Sequence, residues 1–160
     1  MLTRIAVAID GSQASLAAVK KACAIGPDTV SIYLIAVKDY GAFQQEAAAE
    51  ADEGVAGDDV VVFAKDWDHT ARNAHKEAKA VLAACGRTAI WAVVDAKPGQ
   101  GGPAKVFYQR ALKDRADMIL VGRHQGSAFV EGLLGSFPRW LVSHSALPVA
   151  VIPPPAEIPK

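Results

Sequence analysis

The 160-residue chain is predicted to form a single α/β domain, with a doubly wound and mostly parallel sheet covered by helices on both faces. Short apolar runs alternate with segments of helical periodicity in the order β-α-β-α-β-α-β-α-β. The runs at residues 5–9 and 118–121 are apolar at nearly every position, which is typical of strands buried on both faces. The predicted domain covers residues 1–153, and a Pro-rich tail covers residues 154–160.

The first half of the chain opens with the strand at residues 5–9. Ser12 follows it as a favourable N-cap for a helix whose apolar positions recur along one face as far as Cys23. Residues 30–37 are rich in β-branched side chains and predict the second strand. Residues 44–53 favour a helix by their Ala and Glu content. Residues 60–63 fit either a strand or the start of a helix, and periodicity does not decide between them.

The second half of the chain is easier to interpret. A helical stripe runs from Asp66 to a stop at Gly86, and residues 88–95 predict the third strand. A Gly- and Pro-rich loop leads to a helix from Pro103, and the fourth strand follows at residues 118–121. Residues 136–144 predict a short helix, and residues 148–152 predict the last strand.

Composition and charge exclude several classes of protein. Lys plus Arg and Asp plus Glu both number 17, so no net charge favours nucleic acid or an anionic membrane. Cys23 and Cys85 each lie in an apolar helical pattern, which favours buried reduced thiols over a disulfide or a metal pair. No apolar run is long enough to span a membrane and no signal peptide precedes the first strand. A cytoplasmic location is therefore expected.

Polar, glycine-bearing loops follow the first and fourth predicted strands. The first is Asp10-Gly11-Ser12; the second starts at Gly122 and leads to the Gly135-Ser136 pair that opens a helix. Backbone N–H groups and a helix N-terminus converge in such places to form an anion site. In doubly wound sheets, ligands bind where the winding reverses. If these two strands are neighbours, both loops face one crevice.

Four short segments, at residues 4–12, 116–122, 133–136 and 147–152, resemble those of the universal stress protein family in their order and spacing. The resemblance covers nearly the whole chain. It implies a Rossmann-like domain with sheet order 3-2-1-4-5, dimerisation through the last strand and, in many members, ATP binding.

The glycine motif of the ATP-binding branch is only partly kept. That branch carries Gly, two residues, Gly, nine residues and then Gly-Ser or Gly-Thr. Gly122 matches the first glycine, Gly135-Ser136 matches the last pair, and the middle position falls on Gln125, one place before Gly126. The change matters if this position needs positive φ or close approach to a phosphate. The loop also looks like the branch thought not to bind ATP, which tends to lack the downstream Gly-Ser.

The resemblance implies a nucleotide site with Asp10 at the nucleotide and the backbone of Val37 at adenine. Capping of the next helix is a comparable alternative for Asp10, and simple solvation is the alternative for the loop side chains Arg123 and His124. The full set of expected nucleotide-binding residues is Asp10, Gly11, Ser12, Val37, Gly122, Arg123, His124, Gly126, Ser127, Gly135 and Ser136.

The leading functional hypothesis is a stress-response module that binds ATP or AMP and acts as a homodimer through Pro148 to Ile152; with ATP, Mg²⁺ can accompany the nucleotide. The alternative is a dimeric interaction module that binds no nucleotide. A third hypothesis, an enzyme that activates substrates with ATP, is disfavoured because no catalytic Ser/His/Asp or Cys/His arrangement or carboxylate pair is recognisable. Weak ATP hydrolysis is still compatible with the leading hypothesis of a nucleotide-binding module. His69 and His75 are six residues apart, which is not a metal-ligand spacing.

Overall fold

The computed structural model describes residues 1–41, 57–124 and 134–155. These residues form five strands and four helices, whose bounds in chain order are β1 (Arg4–Ala8), α1 (Gln13–Ala24), β2 (Ser31–Asp39), α2 (Gly57–Ala84), β3 (Ile90–Ala96), α3 (Pro103–Lys113), β4 (Met118–Gly122), α4 (Ser136–His144) and β5 (Val149–Ile152). The predicted order of strands and helices is confirmed, and most strand bounds lie within two residues of the predicted ones.

All five strands are parallel and lie in the order β3-β2-β1-β4-β5. The chain moves outward from β1 to β3 on one side, and then crosses back to place β4 against the other side of β1. The winding therefore reverses between β1 and β4, and their carboxyl ends form the edge where α/β sheets bind ligands. This confirms the predicted fold class and sheet order.

Two apolar cores lie on opposite faces of this sheet. Ile5, Val7 and Ile9 of β1 and its extension pack with buried residues of α1 and α2. Ala6 and Ala8, which point the other way, pack with Phe107 and with residues of α3 and α4. A strand that is buried on both faces has no polar alternation, and this explains the continuous apolar run in β1.

The helix α2 resolves the ambiguous run at residues 60–63, which is helical and continuous with the stripe predicted from Asp66. The helix predicted at residues 44–53 lies outside the described residues. Farther along α2, the ring of His75 stacks on Trp91 of β3 with centroids 4.3 Å apart. His75 is therefore half-buried, whereas His69 is exposed.

The two cysteines are both free, but only one of them is sheltered. Cys23 is half-buried at the end of α1, whereas Cys85 is exposed just after α2, so the prediction of a buried thiol is wrong for Cys85. Burial and the neighbouring Cys85 thiol raise the pKa of Cys23 to about 11.

Across the described ranges no helix is both long and apolar enough to cross a membrane.

The amino end of β1 is fastened by Asp117, the residue before β4. Its Oδ2 accepts hydrogen bonds from the Thr3 hydroxyl and the Thr3 backbone N–H, each at 2.7 Å, and from the Arg4 N–H at 2.8 Å. These bonds favour the ionised form and hold the pKa of Asp117 below its ordinary value of 3.8.

We expect the stabilisation from Asp117 to be complete at neutral pH and to be lost at acid pH. A depressed folded-state pKa makes stability fall as pH decreases below the unfolded-state value and through the folded-state value. Urea unfolding of wild type and Asp117→Asn should therefore show wild type as more stable at neutral pH, with the difference shrinking below pH 3.8. A difference that is independent of pH would contradict this assignment.

Candidate functional site

The loops after β1 and β4 begin side by side at the carboxyl edge of the sheet, because these two strands are hydrogen-bonded neighbours. The start of α1 lies in close contact with Gly122, the last residue of β4. A Cβ built on Gly122 would lie 2.9 Å from the Cβ of Ala14, and 3.0 Å from the Ala14 carbonyl carbon and the Ser15 nitrogen. The glycine therefore allows the first turn of α1 to sit directly on the end of β4.

Replacing Gly122 with alanine should destabilise the domain by about 1–3 kcal/mol, because two of the clashing atoms belong to the backbone of α1 and cannot rotate away. The measurement is chemical denaturation. Gly41→Ala is the matched control: among the described residues its added Cβ would meet only the Asp39 carboxylate, at 3.4 Å, so little change is expected. Equal loss in both variants would refute the packing explanation for Gly122.

Asp10 is engaged in the turn that starts α1. Its Oδ1 accepts a hydrogen bond from the Ser12 N–H at 2.9 Å. Ser12 is the N-cap, as predicted, and its side chain accepts from the Ser15 N–H at 3.1 Å. Gly11 lies between them with φ of +82°, a conformation that favours glycine. The capping alternative for Asp10 is thus present in the structure, while its side chain stays exposed at the mouth of the crevice.

The two ends of the loop between β4 and α4 are held together by the backbone. The Arg123 N–H donates to the Ile152 carbonyl at 2.9 Å, and the Gly135 N–H donates to the Arg123 carbonyl at 3.0 Å. Gly135 is buried and has φ of −59°. Any L-residue can adopt this backbone conformation. Glycine at this position therefore matters because it has no side chain, and not because of its φ angle.

The N-terminus of α4 carries backbone donors that no other residue of the helix uses. Gly135 is its N-cap and supplies no side-chain cap, and the first intrahelical bond runs from the Arg139 N–H to the Gly135 carbonyl. The N–H groups of Ser136 and Phe137 thus have no partner within the helix, and Pro138 has no N–H. The exposed Ser136 hydroxyl lies beside these two donors. This end of α4 carries the positive end of the helix dipole.

Val37 is near the carboxyl end of β2, half-buried, and packs on the α3 and α4 side of the sheet. Lys38 comes next and is only 7% exposed. Its Nζ donates to Asp68 Oδ1 of α2 at 3.0 Å and lies 5.3 Å from the Trp67 ring centroid. Burial is the largest single influence on the Lys38 pKa and lowers it, but Asp68 and Tyr40 together, through hydrogen bonds and charge, outweigh burial and hold the pKa above its ordinary value of 10.5.

Lys38 is not among the site residues that the sequence pattern predicts. A lysine at the end of an apolar strand, followed by Asp39 and Tyr40, was the available signal, but its partner Asp68 is thirty residues away. Arg123 is exposed and His124 is half-buried. Gln125, Gly126 and Ser127 lie outside the described residues.

Comparisons with known proteins agree with this architecture. Universal stress protein Slr1101 of Synechocystis sp. is 38% identical over 55 residues, which are 34% of this chain and 51% of that relative. The matched segment thus spans about half of the relative's length. The solved structure of universal stress protein UspA from Lactobacillus plantarum has a TM-score of 0.70 at 18% identity, over 94% of this chain and 97% of that one.

Three further solved structures of similar fold belong to proteins described with a nucleotide. The Arabidopsis thaliana universal stress protein family protein with AMP bound has a TM-score of 0.62 at 16% identity, over 96% of this chain and 93% of that one. A universal stress protein in complex with cAMP has a TM-score of 0.58, and the Archaeoglobus fulgidus protein in complex with dAMP has 0.59. Their identities to this chain are 22% and 14%, with more than nine-tenths of each chain covered.

The sequence model of the universal stress protein family matches residues 1–153, which include every described strand and helix. The fold of the solved structures and the crevice between β1 and β4 are consistent with that match. The chain belongs to the universal stress protein family.

Proposed function

We propose that this protein binds an adenine nucleotide, ATP or AMP, in the crevice at the carboxyl ends of β1 and β4, and that it acts as a homodimeric module in a cytoplasmic stress response. The observation that carries the proposal is the uncapped N-terminus of α4 at the point where the winding of the sheet reverses. Unpaired backbone N–H groups and the helix dipole favour a phosphate at such a position.

The nucleotide phosphates are assigned to the start of α4. The N–H groups of Ser136 and Phe137 are donors without an intrahelical partner, and the Ser136 hydroxyl adds a third donor. Gly126 and Ser127 complete the phosphate loop in this proposal, with Arg123 and His124 near its start. When the nucleotide is ATP, Mg²⁺ accompanies it and offsets the phosphate charge.

The adenosine moiety is assigned to the other side of the crevice. The backbone of Val37 meets adenine, and the Asp10 carboxylate accepts from the ribose or the base. The Asp10 Oδ1 already accepts from Ser12, but a carboxylate has further acceptor sites. Relatives of the same fold are described in complex with AMP, cAMP and dAMP, and these ligands share an adenine nucleotide.

A dimeric interaction module without nucleotide is the second candidate, and specific observations favour it. The Gly135 N–H is used by the Arg123 carbonyl, and Gly122 is accounted for by its packing on α1. Gln125 stands at the middle glycine position of the motif. Two glycines therefore serve contacts within the chain, whatever they do for a ligand.

Calorimetric titration of the full chain with ATP and with AMP separates these two candidates. Nucleotide binding predicts saturable heat with one site per chain, and adenine absorbance in protein purified without added nucleotide would support it independently. The absence of heat at millimolar ATP and AMP, with no co-purified adenine, would refute the proposal and favour the interaction module. Phosphate release measured in the same samples tests for weak ATP hydrolysis.

A further inference from the structure

A second cavity lies at the opposite edge of the sheet, at the amino ends of β2 and β3. Its volume is about 340 Å³, and polar side chains line much of it: Asp28, Thr29, Ser31, Arg87 and Thr88. The nucleotide crevice uses the carboxyl ends of β1 and β4, so the two sites share no residue. The cavity at the amino ends is therefore independent of the proposed nucleotide function.

Arg87 is the unusual member of this lining. Its side chain is only 5% exposed, although it comes just after the exposed Gly86. Its Nη2 donates to the Val30 carbonyl at 2.5 Å, which holds the guanidinium across the start of β2. The guanidinium brings a positive charge and several N–H donors to the cavity wall.

The other end of this guanidinium is not satisfied. Nη1 is buried and makes no hydrogen bond to any described residue. Its nearest counter-charge is Asp28 Oδ1 at 3.8 Å, beyond hydrogen-bond range. The Asp28 side chain is 97% exposed, and a pair with so exposed a partner is weak. A buried donor without a partner is costly, so a group that hydrogen-bonds to Nη1 would gain more here than at an exposed arginine.

The rest of the lining suits an oxygen-rich anion. Thr29, Ser31 and Thr88 each bring a hydroxyl, and these hydroxyls make no hydrogen bond within the described ranges. Hydroxyl and guanidinium donors together match the oxygens of a carboxylate or phosphate group. Asp28 can rotate into solvent, because little of the chain contacts its side chain.

We propose that this cavity is a binding site for a small oxyanion of the phosphate or carboxylate class, which takes the free Nη1 of Arg87 in place of the Asp28 carboxylate. The chemistry is the same whether the oxyanion is inorganic phosphate or a carboxylate group. The anion and Asp28 compete for one guanidinium edge, so removal of the Asp28 charge strengthens binding.

The test is titration of the full chain with sodium phosphate and, separately, sodium acetate, at constant ionic strength in chloride, with the backbone amide signals followed by NMR. We expect the amide signals of residues 86–90 to shift and saturate with one midpoint concentration. The signals of Gly122 and Gly135 should show no shift with the same midpoint. Asp28→Asn should lower the midpoint about fivefold, since two unit charges about 4 Å apart in water interact by that factor. Asp66→Asn, at an exposed aspartate in the first half of α2 and far along the helix from Arg87, is the matched control and should change nothing.

Arg87→Lys keeps the charge but lacks the second donor edge, and it should abolish saturation. If Arg87→Lys fails to fold, the comparison of Asp28→Asn with wild type still tests whether the anion binds at Arg87. The arm with the lower midpoint identifies the source of the oxyanion. Shifts that never saturate in either arm, or a midpoint that Asp28→Asn leaves unchanged, would overturn the proposal.

Discussion

Replacing Gly135 by valine should weaken ATP and AMP binding at least about a hundredfold, or about 3 kcal/mol. The backbone of Gly135 has φ of −59° and ψ of 159°, which valine adopts without strain. The residue is buried at the start of α4, beside the donors assigned to the phosphates. In the proposed site, an isopropyl group next to the Ser136 and Phe137 N–H groups would hinder the close approach of a phosphate to them.

The matched control is Ser143→Val, which places valine on the exposed last turn of the same helix. It should bind nucleotide like wild type. Both variants are measured by calorimetric titration, and circular dichroism verifies that each is folded. A folded Gly135→Val protein that keeps wild-type affinity would place the phosphates elsewhere and remove the start of α4 from the site.

Gln125→Gly addresses the departure in the motif. If the loop is rebuilt by one residue so that Gly126 and Ser127 supply the missing N–H, restoring the glycine should leave affinity alike or improve it. If wild type gives no heat with millimolar ATP and Gln125→Gly gains binding, then Gln125 blocks the site. The interaction-module function would then replace nucleotide binding for the natural chain.

Periodicity and turn chemistry were sufficient to predict the fold class and the order of strands and helices, whereas the sheet order came from the family resemblance. Each helix and strand has a local pattern, and Ser12 and Gly86 mark boundaries because capping and left-handed backbone depend on single residues. The run at residues 60–63 was undecidable for the opposite reason: four consecutive apolar residues fit both periods. The helix that continues from Asp66 includes them.

The glycines of the candidate site make contacts within the chain that the sequence motif does not predict. The sequence assigned Gly122 and Gly135 to a ligand, but the structure shows that Gly122 also accommodates Ala14 of α1 and that Gly135 donates to Arg123. Such contacts join residues distant in sequence, and no local pattern encodes them. The same holds for Arg87, whose guanidinium meets Val30 across fifty-seven residues.

The edge strand β5 is the surface through which we propose that two copies pair. The Ile119 N–H bonds to the Pro148 carbonyl, and the Arg123 N–H bonds to the Ile152 carbonyl. Alternate residues of a parallel strand bond to the same neighbour, so Ala150 also faces β4, and Val149 and Val151 direct their backbone groups to the free edge. The strand carries no charge that would protect this edge. A second copy pairing antiparallel about a two-fold axis would satisfy these groups.

If the protein forms the proposed homodimer, Val151→Pro should convert it to monomer without disrupting the sheet. Proline removes the outward N–H in both copies while the bonds to β4 remain. Two lost hydrogen bonds weaken association by about 1–3 kcal/mol, or about 5- to 150-fold, and the ring adds a steric clash. Val151→Thr keeps the N–H and the β-branched shape, and should remain dimeric. Light scattering at micromolar concentration measures both masses. A monomeric wild type, or a dimer that Val151→Pro leaves intact, would show that β5 is not the dimer edge.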